Sequence, residues 1–235
     1  MCKYADDTYL VIPASNVDSR AREIENIRSW SRANNLNLNL KKSSEIVFVD
    51  SMRRRQIQLP SLLEGIHRVC SLKILGITIN SHFSVSEHVS CVIGKCAQTI
   101  QALRILRSLG LCNDALHLVY RSTVIGKLLY AVNAWWGFTS AADRQRMEAL
   151  VKRGVQSGLC AADTPNLTEL IESSDDALFN RILSNQDHIL FPLLPDERDF
   201  TYNLAKRNHN RLLTIKQGRL CSCNFITRMF FKACY

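Results

Sequence analysis

The sequence predicts an α+β protein, and three observations carry that reading. The first third of the chain holds short β-prone runs separated by polar turns, with one helical segment among them. From Ser84 the apolar residues instead recur every three or four positions, and this persists to about residue 160. Beyond that the pattern weakens and Pro192 and Pro195 interrupt it. Boundaries therefore fall near 83 and 160: an α/β part over 1–83, an all-α part over 84–160 and a mixed C-terminal extension over 161–235.

The opening strand is Thr8-Tyr9-Leu10-Val11-Ile12, β-branched and apolar. Asn16 or Asp18 can cap a helix reaching about Asn34, with Ile24, Ile27 and Trp30 on one face. Residues 44–49 read as a strand, Gln56–Leu59 as a short one before Pro60, and Leu72–Ile79 as a β-run broken at Gly76. Gly76 there marks a bend or a close backbone approach, and a β-bulge fits equally well. Val85, Val89, Val92, Cys96, Ile100, Leu103 and Leu106 then lie on one stripe of a helix ending near Ser108. Asn113 or Asp114 caps a second helix that runs to Trp135-Trp136, and a third spans about Ser140 to Gln156, with Gly110 and Gly137 as punctuation. Residues 166–185 suggest two short helices, and Asn224–Ala233 one apolar helix.

The chain has 235 residues, a formal charge of +9 and a pI near 9.2, which favours a polyanionic partner. The charge is uneven. Residues 84–160 hold nine Lys/Arg against four Asp/Glu and residues 187–235 hold eight against four, whereas 161–186 hold one against five. Excess positive charge thus sits in helical and tail segments, where a phosphate backbone would be attracted in a salt-dependent way. No stretch reaches the ~18 apolar residues of a membrane helix; the best candidate, Leu128–Phe138, contains Asn133. The nine cysteines show no repeated spacing and no apolar leader opens the chain, so mostly buried free thiols in a reducing cytoplasmic or nuclear compartment are expected. Cys221-Ser222-Cys223, His67-x-x-Cys70 and His88-x-x-Cys91 do not supply two close pairs of structural-zinc spacing.

The residues with the clearest chemistry come first in the chain. Tyr4-Ala5-Asp6-Asp7 places adjacent carboxylates on a turn between β-prone residues, a way to hold divalent metal against triphosphate. Alone it is a short pattern that also fits an ordinary polar turn. Two further blocks follow in order. Trp30 … Asn35-Leu36-Asn37-Leu38-Asn39-Leu40-Lys41-Lys42-Ser43 … Ile46-Val47-Phe48 gives a helix, a lysine-bearing loop and a strand, and Leu72-Lys73-Ile74-Leu75-Gly76-Ile77-Thr78-Ile79 follows. Together these blocks resemble the reverse transcriptase of a non-LTR, LINE-type (jockey-like) retrotransposon. The C-terminal run Tyr202-Asn203-Leu204 … Asn224-Phe225-Ile226 … Phe231-Lys232 … Tyr235 resembles the end of such reading frames.

The resemblance implies a partial right-hand polymerase palm, a helical thumb bundle and a mixed tail. It implies RNA-templated DNA synthesis by two-metal nucleotidyl transfer, with an RNA template and a DNA primer as partners and no membrane. Asp6 would be the principal Mg²⁺ ligand and Asp7 a weaker one. Tyr4 would support the hairpin near the primer terminus, unless it packs in a core. Lys42 would stand near the triphosphate, with Lys41 as competitor. Leu75 and Gly76 would approach the primer strand, and Lys95, Arg104, Arg107, Lys127, Lys152 and Arg153 would meet phosphates. Trp135 and Trp136 can stack on bases, although adjacent tryptophans on a helix contribute core area first.

The family takes a further metal-binding aspartate, and its fingers, from sequence well before the Tyr-x-Asp-Asp turn. Only three residues precede Tyr4 here. The expectation is therefore a fragment inactive alone, which an upstream fingers/palm segment would complete. The alternative is a non-catalytic basic module that binds nucleic acid; a purely structural helical domain leaves the three ordered blocks unexplained.

Overall fold

Every fully buried apolar side chain among the described residues lies between Val85 and Phe230. The computed structural model describes residues 2–49, 58–161, 163–197, 211–213, 215 and 218–232. The fold is mixed α and β, with helices predominating and three two-stranded sheets among the described residues. It divides into two compact units: Met1–Leu72 with Asn80–His82, and Lys73–Ile79 with Phe83–Tyr235.

In the first unit, β1 (Cys2–Tyr4) pairs antiparallel with β2 (Asp7–Tyr9). A 3₁₀ turn, Ala14–Ser19, leads into α1 (Arg20–Ala33). Neither Asn16 nor Asp18 caps this helix; Ser19 occupies the N-cap without a side-chain bond, and the Ser19 hydroxyl instead donates to the Asn16 carbonyl at 2.9 Å. Ile24 and Ile27 are half-buried as expected, but Trp30 is 52% exposed with Lys3 over its ring, and Ser31 is the buried residue of α1.

The strand expected over 44–49 shrinks to β3 (Ser44–Glu45), which pairs in parallel with β4 (His67–Arg68). Residues 46–49 lie outside any strand; Val49 N–H instead donates to the Ser81 carbonyl at 2.9 Å. Of the strand expected at Gln56–Leu59, Gln56 and Ile57 lie outside the described residues, and Gln58 and Leu59 are irregular. Glu45 organises this unit, accepting from Arg20 and Arg68 at 2.7 Å each. Two guanidiniums around one half-buried carboxylate fasten α1, β3 and β4 by charge-assisted bonds rather than by an apolar core.

The run over 72–79 bends at Gly76 as expected, and fully enough to make a hairpin: β5 (Ser71–Ile74) and β6 (Ile77–Asn80) flank a two-residue turn. Leu75 (φ +46°) and Gly76 (φ +91°) are both left-handed there, the conformation that tight two-residue hairpins require.

The second unit is built on α2 (Ser86–Ser108). Val85, Val89, Val92, Cys96, Ile100 and Leu103 are buried along it, while Leu106, expected on the same stripe, is exposed past the end of the packing surface. The helix expected over 113–136 is broken. It runs as α3 (Asn113–Tyr120), a π-turn (Arg121–Ile125) and α4 (Gly126–Leu129), then stops. Cys112 is the N-cap, without a side-chain bond, so neither Asn113 nor Asp114 caps α3. Tyr130 turns out of the helix and Ala131 is left-handed before α5 (Val132–Trp135) and a 3₁₀ turn to Phe138. Trp135 Nε1 donates to the Tyr130 carbonyl at 2.9 Å, supplying a partner at the break.

α6 (Ala141–Gln156) starts at a Ser140/Asp143 capping box. Residues 166–185 form one helix rather than two, α7 (Leu167–Ser184), with an Asn166/Glu169 capping box. Leu167, Ile171, Asp175, Phe179 and Ile182 are buried at steps of three and four, giving it a continuous inner face. The C-terminal region adds α8 (Arg219–Cys223), not foreseen from sequence, and α9 (Phe225–Phe231), capped by Asn224 and shorter than the expected run to Ala233, which lies outside the described residues.

Two clusters form the core of this unit. The larger contains Tyr120, Trp135, Trp136, Met147 and Leu150; the smaller gathers Phe179, Ile182, Phe225, Met229 and Phe230. Both tryptophans are thus core residues. The thiols differ from expectation: of the eight cysteines described, Cys96 and Cys160 are buried, and Cys2, Cys70, Cys91 and Cys112 are exposed. No helix among the described residues is long and apolar enough to cross a membrane.

Candidate functional site

The hairpin register Tyr4↔Asp7 leaves Ala5 and Asp6 as its two-residue turn. Ala5 takes φ +51°, a left-handed value that costs an L-residue about 1 kcal/mol. The reversal puts Asp6 at the apex and Asp7 at the first paired position, and both are exposed. The Tyr9 hydroxyl donates a long hydrogen bond to Asp7 Oδ2 at 3.3 Å. Tyr4 is 64% exposed and belongs to no core. The hairpin thus presents two hard anionic groups together on an open turn.

Lys41 and Lys42 are exposed in the loop after α1. Lys42 N–H donates to Asn39 Oδ1 at 3.2 Å and to the Asn39 carbonyl at 3.1 Å, so the loop orders the backbone and leaves the ammonium in solvent. Among the described residues no hydrogen bond or ion pair joins Lys42 to Asp6 or Asp7, and no group of three or more His, Cys, Asp and Glu side chains is arranged to hold a metal.

The six cations expected to meet phosphate are all exposed and all in the second unit, but they separate into two sets. Arg104 donates to Ser157 Oγ at 2.8 Å and Arg107 to the Ser157 carbonyl, so both sit over the C-terminal end of α6. Cations there complement the helix dipole, which is a structural role. Arg153 folds back onto the Ala149 carbonyl at 3.2 Å, one turn earlier on α6, and Lys152 precedes it.

Lys95 and Lys127 lie elsewhere. Lys127 Nζ donates to Thr99 Oγ1 at 3.4 Å, and Thr99 Oγ1 donates to the Lys95 carbonyl at 3.0 Å, so the two lysines flank one turn of α2. Nearby, the Tyr130 hydroxyl donates to the Leu75 carbonyl at 3.0 Å, and a Cβ added at Gly76 would stand 3.3 Å from the Tyr130 ring. Leu75 and Gly76 are therefore brought to the helical bundle by a residue that no sequence motif singles out. Its only signal is a tyrosine three residues after Lys127, within a stretch whose apolar period reads straight through as helix. His88, packed edge-on against Trp135 at 5.1 Å, is held below the ordinary imidazole range by burial first, then by Lys73 and Lys95. Lys73, exposed on β5 two residues before Leu75, is thus a charge that acts on His88 together with Lys95, although its sequence block points only to Leu75 and Gly76.

Set against protein-family models, curated proteins and solved structures, the chain matches none of them.

Proposed function

We propose that the chain is a palm-and-thumb portion of a reverse transcriptase of the non-LTR, LINE-type class, with Asp6 and Asp7 as its metal-binding pair. The observation that carries this reading is the turn itself: Tyr4 and Asp7 close it, and both carboxylates stand exposed, with no cation paired to them among the described residues. The donors fit Mg²⁺, which prefers anionic oxygen and keeps places for water and substrate phosphate. When bound, the metal would activate a primer hydroxyl and stabilise the pyrophosphate oxygens.

The chain's own residues then have distinct tasks. Asp6, at the apex, supplies the principal carboxylate. Asp7, in the ladder and touched by Tyr9, is the more fixed one. Tyr4 stiffens the turn from the opposite strand, and Lys42 supplies a mobile cation for triphosphate. The bundle holds the RNA template and DNA primer. The partners and the free thiols, four of them exposed, suit a reducing cytoplasmic or nuclear compartment.

Two carboxylates leave the coordination of Mg²⁺ incomplete, and the first unit has no fully buried apolar side chain among its described residues. A two-stranded hairpin is marginal by itself. We therefore expect these 235 residues alone not to polymerise, and expect a fingers/palm segment to supply further strands and a ligand. The test is paramagnetic broadening by Mn²⁺ with a deoxynucleoside triphosphate, read at the amides of residues 2–9. Broadening centred on Asp6 and abolished by Asp6→Asn supports the site, and its absence from the hairpin overturns it. Primer extension that survives Asp6→Asn would overturn it as well.

A second reading, a non-catalytic module that binds nucleic acid, is favoured by the exposed cations of the bundle. It requires duplex binding that is indifferent to Asp6→Asn and no Mn²⁺ effect at the hairpin.

A further inference from the structure

We propose that Lys73, Lys95 and Lys127 form one phosphate-binding face, and that Tyr130 is the positioning residue that holds the β5–β6 turn against it. This rests on the nucleic-acid-binding part of the reading above and is independent of Asp6 and Asp7.

Three elements contribute. Lys73 lies on β5, two residues before the turn; Lys95 lies on α2; Lys127 lies on α4, three residues before Tyr130. The Lys127 Nζ bond to Thr99 Oγ1 joins α4 to α2, one turn from Lys95. The Tyr130–Leu75 bond joins the end of α4 to the hairpin. Tyr130 is tied in turn to Trp135 through its carbonyl, and Trp135 carries His88 on its edge. The elements that carry the three lysines are therefore joined to one another by bonds and ring packing.

The charge around the three lysines is predominantly positive. Among the described residues none of the three lysines has an ion-pair partner. The elements from β5 to α5 carry six cations, Lys73, Lys95, Arg104, Arg107, Arg121 and Lys127, against Glu87 and Asp114. Glu87 is in the first turn of α2, eight residues before Lys95 and thus about 12 Å along the axis. Lysines are compact, mobile point charges suited to phosphate, whereas Arg104 and Arg107 are occupied at Ser157.

The backbone supports a positioning role for Tyr130. Leu75 at φ +46° and Ala131 at φ +48° are two strained non-glycine residues at the two ends of this contact. Such conformations persist only where the surroundings over-determine them. The hairpin itself requires the left-handed pair at Leu75 and Gly76; the Tyr130 hydroxyl on the Leu75 carbonyl and its ring on Gly76 brace that turn against the bundle. They set where Lys73 is presented relative to Lys95 and Lys127.

The experiment is fluorescence anisotropy of the full chain with a labelled RNA/DNA hybrid duplex over a salt series. Lys73→Gln/Lys95→Gln/Lys127→Gln is expected to lower the log–log salt slope by about 0.9 for each phosphate that is no longer neutralised. The charge-matched control Arg22→Gln/Arg28→Gln/Arg32→Gln, all exposed or partly exposed on α1, should leave the slope unchanged. Tyr130→Phe keeps the ring on Gly76 but removes the bond to Leu75; it should lower the slope about as much as Lys73→Gln, and the two together should lower it no further. Additive effects of Tyr130→Phe and Lys73→Gln would overturn the positioning role. A triple variant that folds by circular dichroism and keeps the wild-type slope overturns this face while leaving nucleic-acid binding in place. A wild-type chain with no salt-dependent duplex binding overturns both. Equal affinity for a polyglutamate of matched charge would show a general anion surface and also overturn the proposal.

Discussion

The Ser86 hydroxyl donates a 2.6 Å hydrogen bond to Asp143 Oδ2, joining the first turns of α2 and α6. The same oxygen accepts from the Ser140 hydroxyl at 2.7 Å, and Arg146 approaches Oδ1 at 3.3 Å. Burial pushes the Asp143 carboxyl up, but the hydrogen bonds from Ser86 and Ser140, with Arg146, outweigh it and hold the group below its ordinary value of 3.8. The folded value is therefore below the unfolded one. This contribution to stability is complete above about pH 4 and is lost as pH falls through the folded value. Asp143→Asn should cost about 1–3 kcal/mol at pH 7 in urea denaturation, and its stability should fall less steeply than wild type below pH 4. Identical acid slopes would assign the linkage to another group.

His88 titrates in a different window. Burial, then Lys73 and Lys95, lower its value, so protonation favours the unfolded chain. Stability linked to His88 is present in full above about pH 6.5 and declines as pH falls through the folded value. His88→Leu should flatten the decline in stability as pH falls below about 6.5. Lys95→Gln should move the His88 imidazole titration upward, read by NMR; no movement would remove Lys95 from its neighbourhood.

Gly154 on α6 faces Tyr120, and an added Cβ would overlap the phenol ring and hydroxyl. Among the described residues that hydroxyl is buried without a hydrogen-bond partner of ordinary geometry, and its pKa is raised by burial and by the neighbouring Cys160 and Cys96. Gly154→Ala should destabilise by about 1–3 kcal/mol through overpacking. Tyr120→Phe alone should be near neutral, because it removes a buried hydroxyl with no such partner, and in the double variant it should restore part of the loss. Strict additivity in thermal denaturation would refute the contact.

Asp175 anchors the C-terminal helix. It accepts from Arg228 at 2.8 Å on α9 and from Asn133 at 2.7 Å on α5, and its side chain is 5% exposed. Beside it, Gly137 lies flush against the Cys223 carbonyl, leaving no room for a Cβ. Asp175→Ala leaves a partly buried guanidinium without its carboxylate, and a loss of about 3 kcal/mol is expected. Limited proteolysis should then cut within residues 219–232 before the rest of the bundle. Wild-type resistance there would mean that the apolar cluster of Phe225, Met229 and Phe230 holds α9 without the ion pair.

Much of the helical layout was readable from period alone. The buried stripe of α2 from Val85 to Leu103 and the span of α6 follow from apolar steps of three and four, because a helix docked on one face records that face in its sequence. The α2 stripe failed only at Leu106, beyond the reach of its neighbours. Strands were read less well. The run from Ser44 to Val49 is β-prone, yet only Ser44 and Glu45 pair, since a strand exists where a partner lies alongside and propensity does not supply one. The Asp6–Asp7 turn was legible because two adjacent residues and their hairpin are local in sequence.

The chain by itself determined the helical periods, the carboxylate turn and the surplus of positive charge, all properties of residues near one another in sequence. Tertiary structure alone decided that α4 stops at Tyr130, that Tyr130 reaches back 55 residues to Leu75, and that Lys127 meets Thr99 while Arg104 and Arg107 turn to Ser157. A helix is interrupted, and a cation is occupied or left free, by groups distant in sequence. No local pattern encodes which distant carbonyl or hydroxyl will come within hydrogen-bonding reach.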